Sequence, residues 1–241
     1  MHAIRSVVLA AFVLSCGLAT TAWAQTTTQA ATASDEAKLI SESIQVLQEL
    51  SRGADRQIPE HLLARAEAIV VVPSLLKGGF VIGAKHGKGI ISTFDRATNT
   101  WSNPAFVNMT GGSIGWQIGV ESVDLVLLVM NRRGVDELLE DRFTIGGNLS
   151  VAAGPVGRSG DAATDTQISA QILAYSRSKG LFAGATLEGA ALRSNDSANK
   201  ALYKANNMRE VLAAKPGPTS PEPANAWRTA MKSLVTAAPN P

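Results

Sequence analysis

The sequence has one cysteine, three histidines and 5% aromatic residues, and these scarcities exclude several kinds of site. Cys16 has no second cysteine with which to form a disulfide within the chain. His61 and His86 have no histidine or cysteine at the spacing of a zinc site, so we expect no bound metal. Lysine and arginine number 22 against 20 aspartates and glutamates, and this balance gives no reason to expect a nucleic acid partner.

The usual catalytic and nucleotide-binding motifs are also lacking. The stretch GGSIG (111–115) has the spacing of G-x-S-x-G, but it lies inside an apparent strand with no helix after it, so it does not form the strand-to-helix turn of a nucleophile elbow. The glycine-rich stretch GAKHGKG (83–89) lacks the spacing and the Ser or Thr of a P-loop, and GGSIGWQIG (111–119) reads as a strand with no helix after it. Glu137, Glu140 and Asp141 lie in a short charged segment that is typical of a solvated helix face. We therefore expect a protein that is not an enzyme and that uses no cofactor.

Residues 1–24 have the pattern of a secretory signal peptide. Arg5 precedes an apolar core, and Ala22-Trp23-Ala24 matches an A-x-A cleavage site. Cleavage before Cys16 is the alternative, because Val13-Leu14-Ser15-Cys16 resembles the site at which bacterial lipoproteins are cut and acylated. No later apolar run approaches the roughly 18–20 residues of a membrane-spanning helix. We expect an exported protein in the periplasm or at the outer-membrane periphery, or alternatively a lipoprotein anchored through Cys16.

Glycine is abundant, at 21 residues, and the apolar segments between the glycines are short and β-prone. This composition favours a Gly-rich sheet over a helical bundle filled by large side chains. We predict an α+β fold with a curled, mainly antiparallel sheet or barrel flanked by N- and C-terminal helices. After the signal peptide, the predicted segments are a flexible tether (25–33), the domain itself (34–208), a Pro-rich linker (209–223), and an amphipathic C-terminal helix with its tail (224–241).

Two hairpins stand out in the predicted sheet. The first covers 79–94, with its turn around His86-Gly87, and follows a short buried strand that Pro73 closes. The second joins an alternating run that ends near Tyr175 to an apolar run that begins at Leu181. Lysines lie at or near the ends of the first hairpin, and the turn of the second is also basic.

The second hairpin contains the decapeptide YSRSKGLFAG (175–184), and four other blocks precede it in order. These blocks are IPEHLLARAEAIVVVPSLLKGGFVIGAKHGKG (58–89), WSNPAFVNMTGGSIGWQIG (101–119), DLVLLVMN (124–131) and VAAGPVGRSG (151–160). Together they resemble the SYLF domain family over about residues 36–208. The resemblance implies a lipid-binding module, since eukaryotic members bind phosphoinositides and yeast members bundle actin. In an exported bacterial member, anionic phospholipid or lipopolysaccharide would replace the phosphoinositides.

Basic residues near the hairpin ends form the predicted lipid-binding site. Each lysine or arginine near an anionic bilayer contributes about 1 kcal/mol, so several together would give reversible peripheral attachment. Simple solvation of these side chains, and core packing of the neighbouring phenylalanine, are the alternatives. The predicted site residues are Lys77, Lys85, Lys88, Arg158, Arg177, Lys179 and Phe182. The alternative function is an envelope scaffold that binds a protein partner without lipid specificity.

Overall fold

Two long antiparallel strands form the centre of the fold: β1 (Ala68–Asp95) and β3 (Ala105–Val129). They pair from Ala68 opposite Val129 to Ile91 opposite Ala105. The structure is a computed structural model. It describes residues 20–52, 58–140, 143–145, 149–155, 170–178, 181–184, 190–217 and 219–236.

Six shorter strands join these two in one sheet within the described ranges. They are β2 (Thr100–Trp101), β4 (Phe143–Thr144), β5 (Val151–Ala153), β6 (Ile172–Ser178), β7 (Leu181–Gly184) and β8 (Ala190–Ser194). The main order is β2-β1-β3-β6-β5; β7 pairs with β6, and β8 pairs with both β3 and β4. Every pairing is antiparallel except that of β5 with β6. The predicted α+β fold with a curled, mainly antiparallel sheet is confirmed.

The predicted hairpin over 79–94 is wrong, because β1 runs through this segment without turning. His86 and Gly87 lie opposite Thr110 and Met109 in the middle of the ladder with β3. Turn-forming glycines therefore occur here inside a strand. The second predicted hairpin is confirmed in its strands, since β6 and β7 pair from Tyr175 opposite Gly184 to Ser178 opposite Leu181.

Pro73 does not end its strand either. The register of β1 against β3 shifts between Val72 and Leu75, which places Pro73 in a bulge. A proline has no N–H to give to a ladder, and a bulge is a position at which the ladder does not require one. Ser74 has a left-handed backbone with φ of 54°, as a local kink requires.

β1 curls so strongly that its two ends meet. The backbone N–H of Phe94 donates a hydrogen bond of 2.8 Å to the carbonyl of Glu67, the residue just before the strand. A straight strand would hold these groups about 90 Å apart, at ~3.3 Å per residue. At the same closure, the side chain of Arg96 binds the Glu67 carboxylate at 2.6 Å.

Glycine permits the close approach inside the curl. A Cβ on Gly89 would lie 2.4 Å from the carbonyl oxygen of Val71, and a Cβ on Gly87 would lie 2.7 Å from the Val72 side chain. Any larger residue would separate the two halves of the strand. We call the face of β1 that lines the curl, with Val72, Leu75, Gly87 and Gly89, the inner face.

Apolar residues cover both faces of the sheet, which explains the continuous apolar run at 68–72. The inner-face core contains Val70 and Val72, and the opposite, outer-face core contains Ile69 and Val71. Strand residues alternate between faces, so an uninterrupted apolar run is expected only where both faces are buried.

Helices cover the two cores in the described part of the chain. They are α1 (Thr20–Arg52), α2 (Glu60–Arg65), α3 (Arg132–Leu138), α4 (Asp196–Tyr203), α5 (Met208–Ala213) and α6 (Glu222–Thr236). Helices α1, α2, α4 and α6 supply residues to the outer-face core, and α3 and α5 supply residues to the inner-face core. Trp227 of α6 is fully buried, so the C-terminal helix docks on the domain.

Two predicted segment boundaries differ from the structure. The predicted tether (25–33) belongs to α1, whose sequence contains no glycine or proline to interrupt a helix. The predicted linker (209–223) includes most of α5 and the start of α6. Pro223 lies in the first turn of α6, where its missing N–H leaves no hydrogen bond unmade. Residues 1–19 lie outside the described residues, and the signal peptide stays a prediction.

None of the helices described is both long enough and apolar enough to span a membrane.

Candidate functional site

The candidate basic residues do not form one set of hairpin tips. Lys77, Lys85 and Lys88 all lie along β1, and the hairpin that was expected to present them is absent from the described strand. Arg177 lies in β6 and is bound by carboxylates. The described basic residues therefore lie in different surroundings, and the predicted lipid-binding role of the set stays a prediction.

Lys85 lies on the inner face of β1, where alternation places it in line with Gly87, Gly89 and the buried Ile91. Its side chain is 9% exposed. Burial lowers the pKa of the Lys85 ammonium, and the charge of nearby Lys77 lowers it further. Lys85 forms no hydrogen bond or ion pair that the structure shows within its described ranges. A buried ammonium without a counter-charge is unusual and calls for an anion.

Lys77 is the second lysine on the inner face. It lies two residues beyond Leu75, which belongs to the inner-face core, so alternation puts both side chains on the same side. Its Cα partner on β3 is Glu121. Lys77 is partly exposed and close enough to Lys85 for their charges to interact. We call Lys77 and Lys85 the inner-face lysines.

Leu76 immediately precedes Lys77 in sequence and points to the other side of the strand. It is 50% exposed, and it is opposite the exposed Ser122. An exposed leucine by itself is ordinary. Because Leu76 lies on the opposite side of the strand, it does not extend the surface formed by the inner-face lysines.

Lys88 lies on the outer face and is exposed. Lys88 and Glu36 of α1 line the same cavity. Burial raises the pKa of the Glu36 carboxyl, and the charge of Lys88 opposes this effect. Lys88 is thus separated by the thickness of the sheet from the inner-face lysines.

Arg177 joins three elements. Its Nη2 lies 2.6 Å from Oδ2 of Asp124 on β3, its Nε donates to the same oxygen at 3.1 Å, and its Nη1 binds Glu49 of α1. Burial alone would lower the pKa of Arg177, but the hydrogen bonds to Asp124 and Glu49 outweigh it and leave the pKa above its ordinary value. The hydrogen bond from Arg177 lowers the pKa of Glu49.

These contacts make Arg177 a structural residue. Oδ1 of Asp124 also accepts a hydrogen bond of 3.0 Å from the backbone N–H of Ser74, so the same carboxylate holds the bulge of β1. A guanidinium that binds two carboxylates has little charge left to attract a lipid. The structure gives no support to Arg177 as a lipid contact, and that role stays a prediction.

Arg158 and Lys179 lie outside the described residues, so their predicted roles remain predictions. Phe182 lies in β7, with its Cα opposite that of Arg177. Its predicted insertion between head groups also stays a prediction.

The two carboxylates that bind Arg177 are not evident from local sequence patterns. Asp124 is 53 positions away and Glu49 is 128 positions away. Helix and strand periodicity relate residues only a few positions apart, so neither contact could be inferred from spacing along the sequence. Glu36 is likewise buried, at 8% exposed, and no local spacing in the sequence predicts this.

Comparison with known proteins gives matches over most of the domain. A family model described as "Ysc84: Las17-binding protein actin regulator" matches residues 110–234. LAS seventeen-binding protein 3 of Saccharomyces cerevisiae is 37% identical over 175 residues, which is 71% of this chain and 37% of the relative. SH3 domain-containing YSC84-like protein 1 of Homo sapiens is 36% identical over 152 residues, which is 63% of this chain and 44% of the relative.

Protein YSC84 of Saccharomyces cerevisiae is 38% identical over 163 residues, or 66% of this chain and 34% of that protein. This chain therefore spans less than half of the length of each of these relatives. The fold defines an α+β domain built on a curled, mainly antiparallel sheet. The chain belongs to the Ysc84 family, which is the SYLF family that its sequence blocks resemble.

Proposed function

We propose that this protein is a non-enzymatic, peripheral phospholipid-binding protein of the bacterial envelope, and that the inner-face lysines bind the anionic head group. The observation that carries the proposal is the convergence of Lys77 and Lys85 on one face of the curled strand. Lys85 is 9% exposed, and no carboxylate pairs with it within the described ranges.

The energetics support an anionic ligand. Two ammonium groups that lie close together repel each other, and burial adds a desolvation penalty for Lys85. A phosphate group between them would reduce both effects, since it supplies a counter-charge and accepts hydrogen bonds. The positive charge of the two lysines does not attract a neutral head group and repels a cationic one.

In this proposal the inner-face lysines supply the electrostatic attraction to an anionic bilayer, which salt weakens.

Co-sedimentation with vesicles tests this function. The protein is mixed with vesicles of phosphatidylcholine that contain graded amounts of phosphatidylglycerol, at low and at high salt. The proposal predicts binding that increases with phosphatidylglycerol and decreases with salt. Lys77→Gln together with Lys85→Gln should reduce binding by at least about tenfold, since each lysine near an anionic bilayer contributes about 1 kcal/mol.

The matched control removes the same charge elsewhere. Lys200 and Lys215 are exposed and lie outside β1, so Lys200→Gln together with Lys215→Gln should bind as the unmodified protein does. Equal loss in both double variants would contradict a site at the inner face, and unchanged binding in the Lys77/Lys85 variant would do so too.

A protein-binding scaffold is the second candidate function. The family is described as "Las17-binding protein actin regulator", and a relative is named for binding LAS seventeen, so protein partners are known by name in this family. Recovery of one partner in a fixed ratio from detergent-free periplasm, without lipid, would favour this function. A monomer that sediments with anionic vesicles would favour the first.

A further inference from the structure

A cavity of about 270 Å³ lies between α1, β1 and the start of α4, on the outer face of the sheet. Its lining includes Glu36 and Leu39 of α1, Lys88 of β1 and Phe106 of β3. The cavity is separate from the inner-face lysines. The function proposed above therefore does not account for it.

Glu36 gives the cavity its unusual chemistry. The side chain is 8% exposed, and its Oε2 is buried without a hydrogen-bond partner within the described ranges. Buried polar atoms are normally satisfied, and an unsatisfied carboxyl oxygen calls for a missing donor. Burial raises the pKa of Glu36, against the opposing charge of Lys88. Lys88 does not form an ion pair with Glu36 in the described structure, so it leaves this oxygen available.

The charges of the lining favour a cation. Carboxylates outnumber ammonium groups there, because Asp35, Glu36 and Glu42 line the cavity with Lys38 and Lys88. Lys38 is moreover 3.8 Å from Glu42, so these two groups offset each other. A donor that carries positive charge would complete the hydrogen bonding of Glu36 and balance its charge.

The lining suits an organic cation better than a metal ion. Within the described residues, no group of three or more His, Cys, Asp or Glu side chains is arranged to hold a metal ion. Leu39, Phe106 and Ala198 give the cavity apolar walls suited to methylene groups. Its volume is at the lower limit of small-molecule sites, which fits a short unbranched chain.

We propose that this cavity binds a small aliphatic amine, with the ammonium on the Glu36 carboxylate and the carbon chain against Leu39 and Phe106. The amine donates the hydrogen bond that Oε2 of Glu36 lacks. This site is independent of the lipid site, so either can fail without the other.

Calorimetric titration of the full chain with 1,5-diaminopentane and with pentylamine tests the proposal, at about 0.15 M salt to suppress non-specific attraction. Both amines should bind saturably, and neutral 1-pentanol and anionic pentanoate should not. Glu36→Gln keeps the shape of the side chain and removes its charge, so it should weaken amine binding by at least about tenfold.

Two further variants complete the test. Glu140→Gln removes an exposed carboxylate outside the cavity, so this variant should bind amines with the affinity of the original protein. Leu39→Trp fills the cavity while retaining the Glu36 charge, and it should abolish binding in a protein whose circular dichroism is unchanged. Amine binding that survives both Glu36→Gln and Leu39→Trp would overturn the proposal. So would pentanol or pentanoate binding as tightly as the amines.

Discussion

The guanidinium of Arg177 holds the carboxylate of Asp124 through two hydrogen bonds to one oxygen, at 2.6 and 3.1 Å, across 53 positions of sequence. Arg177 also binds Glu49, so this one side chain connects β6, β3 and α1. The hairpin of β6 and β7, which contains the decapeptide at 175–184, is thereby bound to α1. Its arginine, which the sequence suggested for lipid, has a structural role.

Replacing Arg177 should destabilise the fold. In Arg177→Lys, a single ammonium cannot reproduce the forked contacts to Asp124 and Glu49. The side chains of Arg177 and Asp124 are 22% and 20% exposed, so solvent screening limits the loss to about 1–2 kcal/mol. Urea unfolding measures it as a lower midpoint at an unchanged slope.

The control for this variant is Arg133→Lys. Arg133 pairs with Glu137 four residues along the same helix, and its side chain is 73% exposed. A pair of this kind contributes at most about 0.5 kcal/mol. If the two lysine variants unfold at the same urea concentration, the three-element contact does not stabilise the domain.

Adding one methyl group inside the curl of β1 should also be destabilising. In Gly89→Ala the new Cβ would lie 2.4 Å from the Val71 carbonyl oxygen, which belongs to the backbone and cannot rotate away. We expect a loss of about 2 kcal/mol or more and a lower Tm in thermal unfolding.

Gly217→Ala is the matched substitution for that test. A Cβ at Gly217 would meet no atom within 4 Å, so this variant should unfold within about 0.5 kcal/mol of the original protein. Equal Tm values for the Gly89 and Gly217 variants would show that the two halves of β1 do not approach each other so closely in solution.

The buried carboxyl of Glu36 predicts a specific pH dependence in the absence of amine. Its pKa is raised by burial from an ordinary value of 4.5. A raised pKa means that Glu36 contributes stability below the unfolded-state pKa and that this contribution is lost as pH rises through the folded-state pKa. Glu36→Gln should therefore gain stability relative to the original protein as the pH is raised from about 4 to 7.

Glu49→Gln should behave with the opposite sign. The Arg177 contact lowers the pKa of Glu49, so its contribution is present above the ordinary value of 4.5 and is lost as pH falls through the folded-state pKa. Glu49→Gln should accordingly lose stability relative to the original protein as the pH is raised over the same range. Urea unfolding at several pH values measures both differences in the free energy of unfolding. If the two variants changed in the same direction with pH, one of the two pKa shifts would have the wrong sign.

Local patterns were enough to predict much of the fold. Asn195 stands where capping rules place an N-cap for α4, and its side chain accepts a hydrogen bond from the N–H of Ala198. Trp227 and Met231 are four positions apart, as residues on one face of a helix are, and both are fully buried. Each of these inferences depends on residues within a few positions of one another, where helix periodicity and capping rules apply directly.

The continuity of β1 could not be predicted in that way. Pro73, Gly79 and Gly87 are residues that usually mark turns, and here the first two lie at register shifts while Gly87 allows the strand to pack on itself. Whether a glycine ends a strand or bends it depends on what lies across the curl. That partner, Leu75 for Gly87, is found only in three dimensions.

The arrangement of the candidate lysines could not be predicted from local patterns either. The alternation of β1 puts Lys85 on the inner face and Lys88 on the outer face, and their predicted role in lipid binding stays a prediction. A turn at His86-Gly87 would have brought them to one tip. The continuous strand instead separates them into an inner-face lysine and a residue of the α1 cavity.

The most direct test of the lipid-binding account is chemical modification of individual lysines, measured by mass spectrometry after brief reductive methylation. The rates for Lys77 and Lys85 are compared with and without phosphatidylglycerol vesicles, with the exposed Lys215 as an internal reference. Head-group binding predicts that vesicles slow the methylation of Lys77 and Lys85 at least several-fold and leave Lys215 unchanged. Equal rates for Lys77 and Lys85 with and without vesicles, in a sample in which the protein is bound, would show that lipid attaches elsewhere.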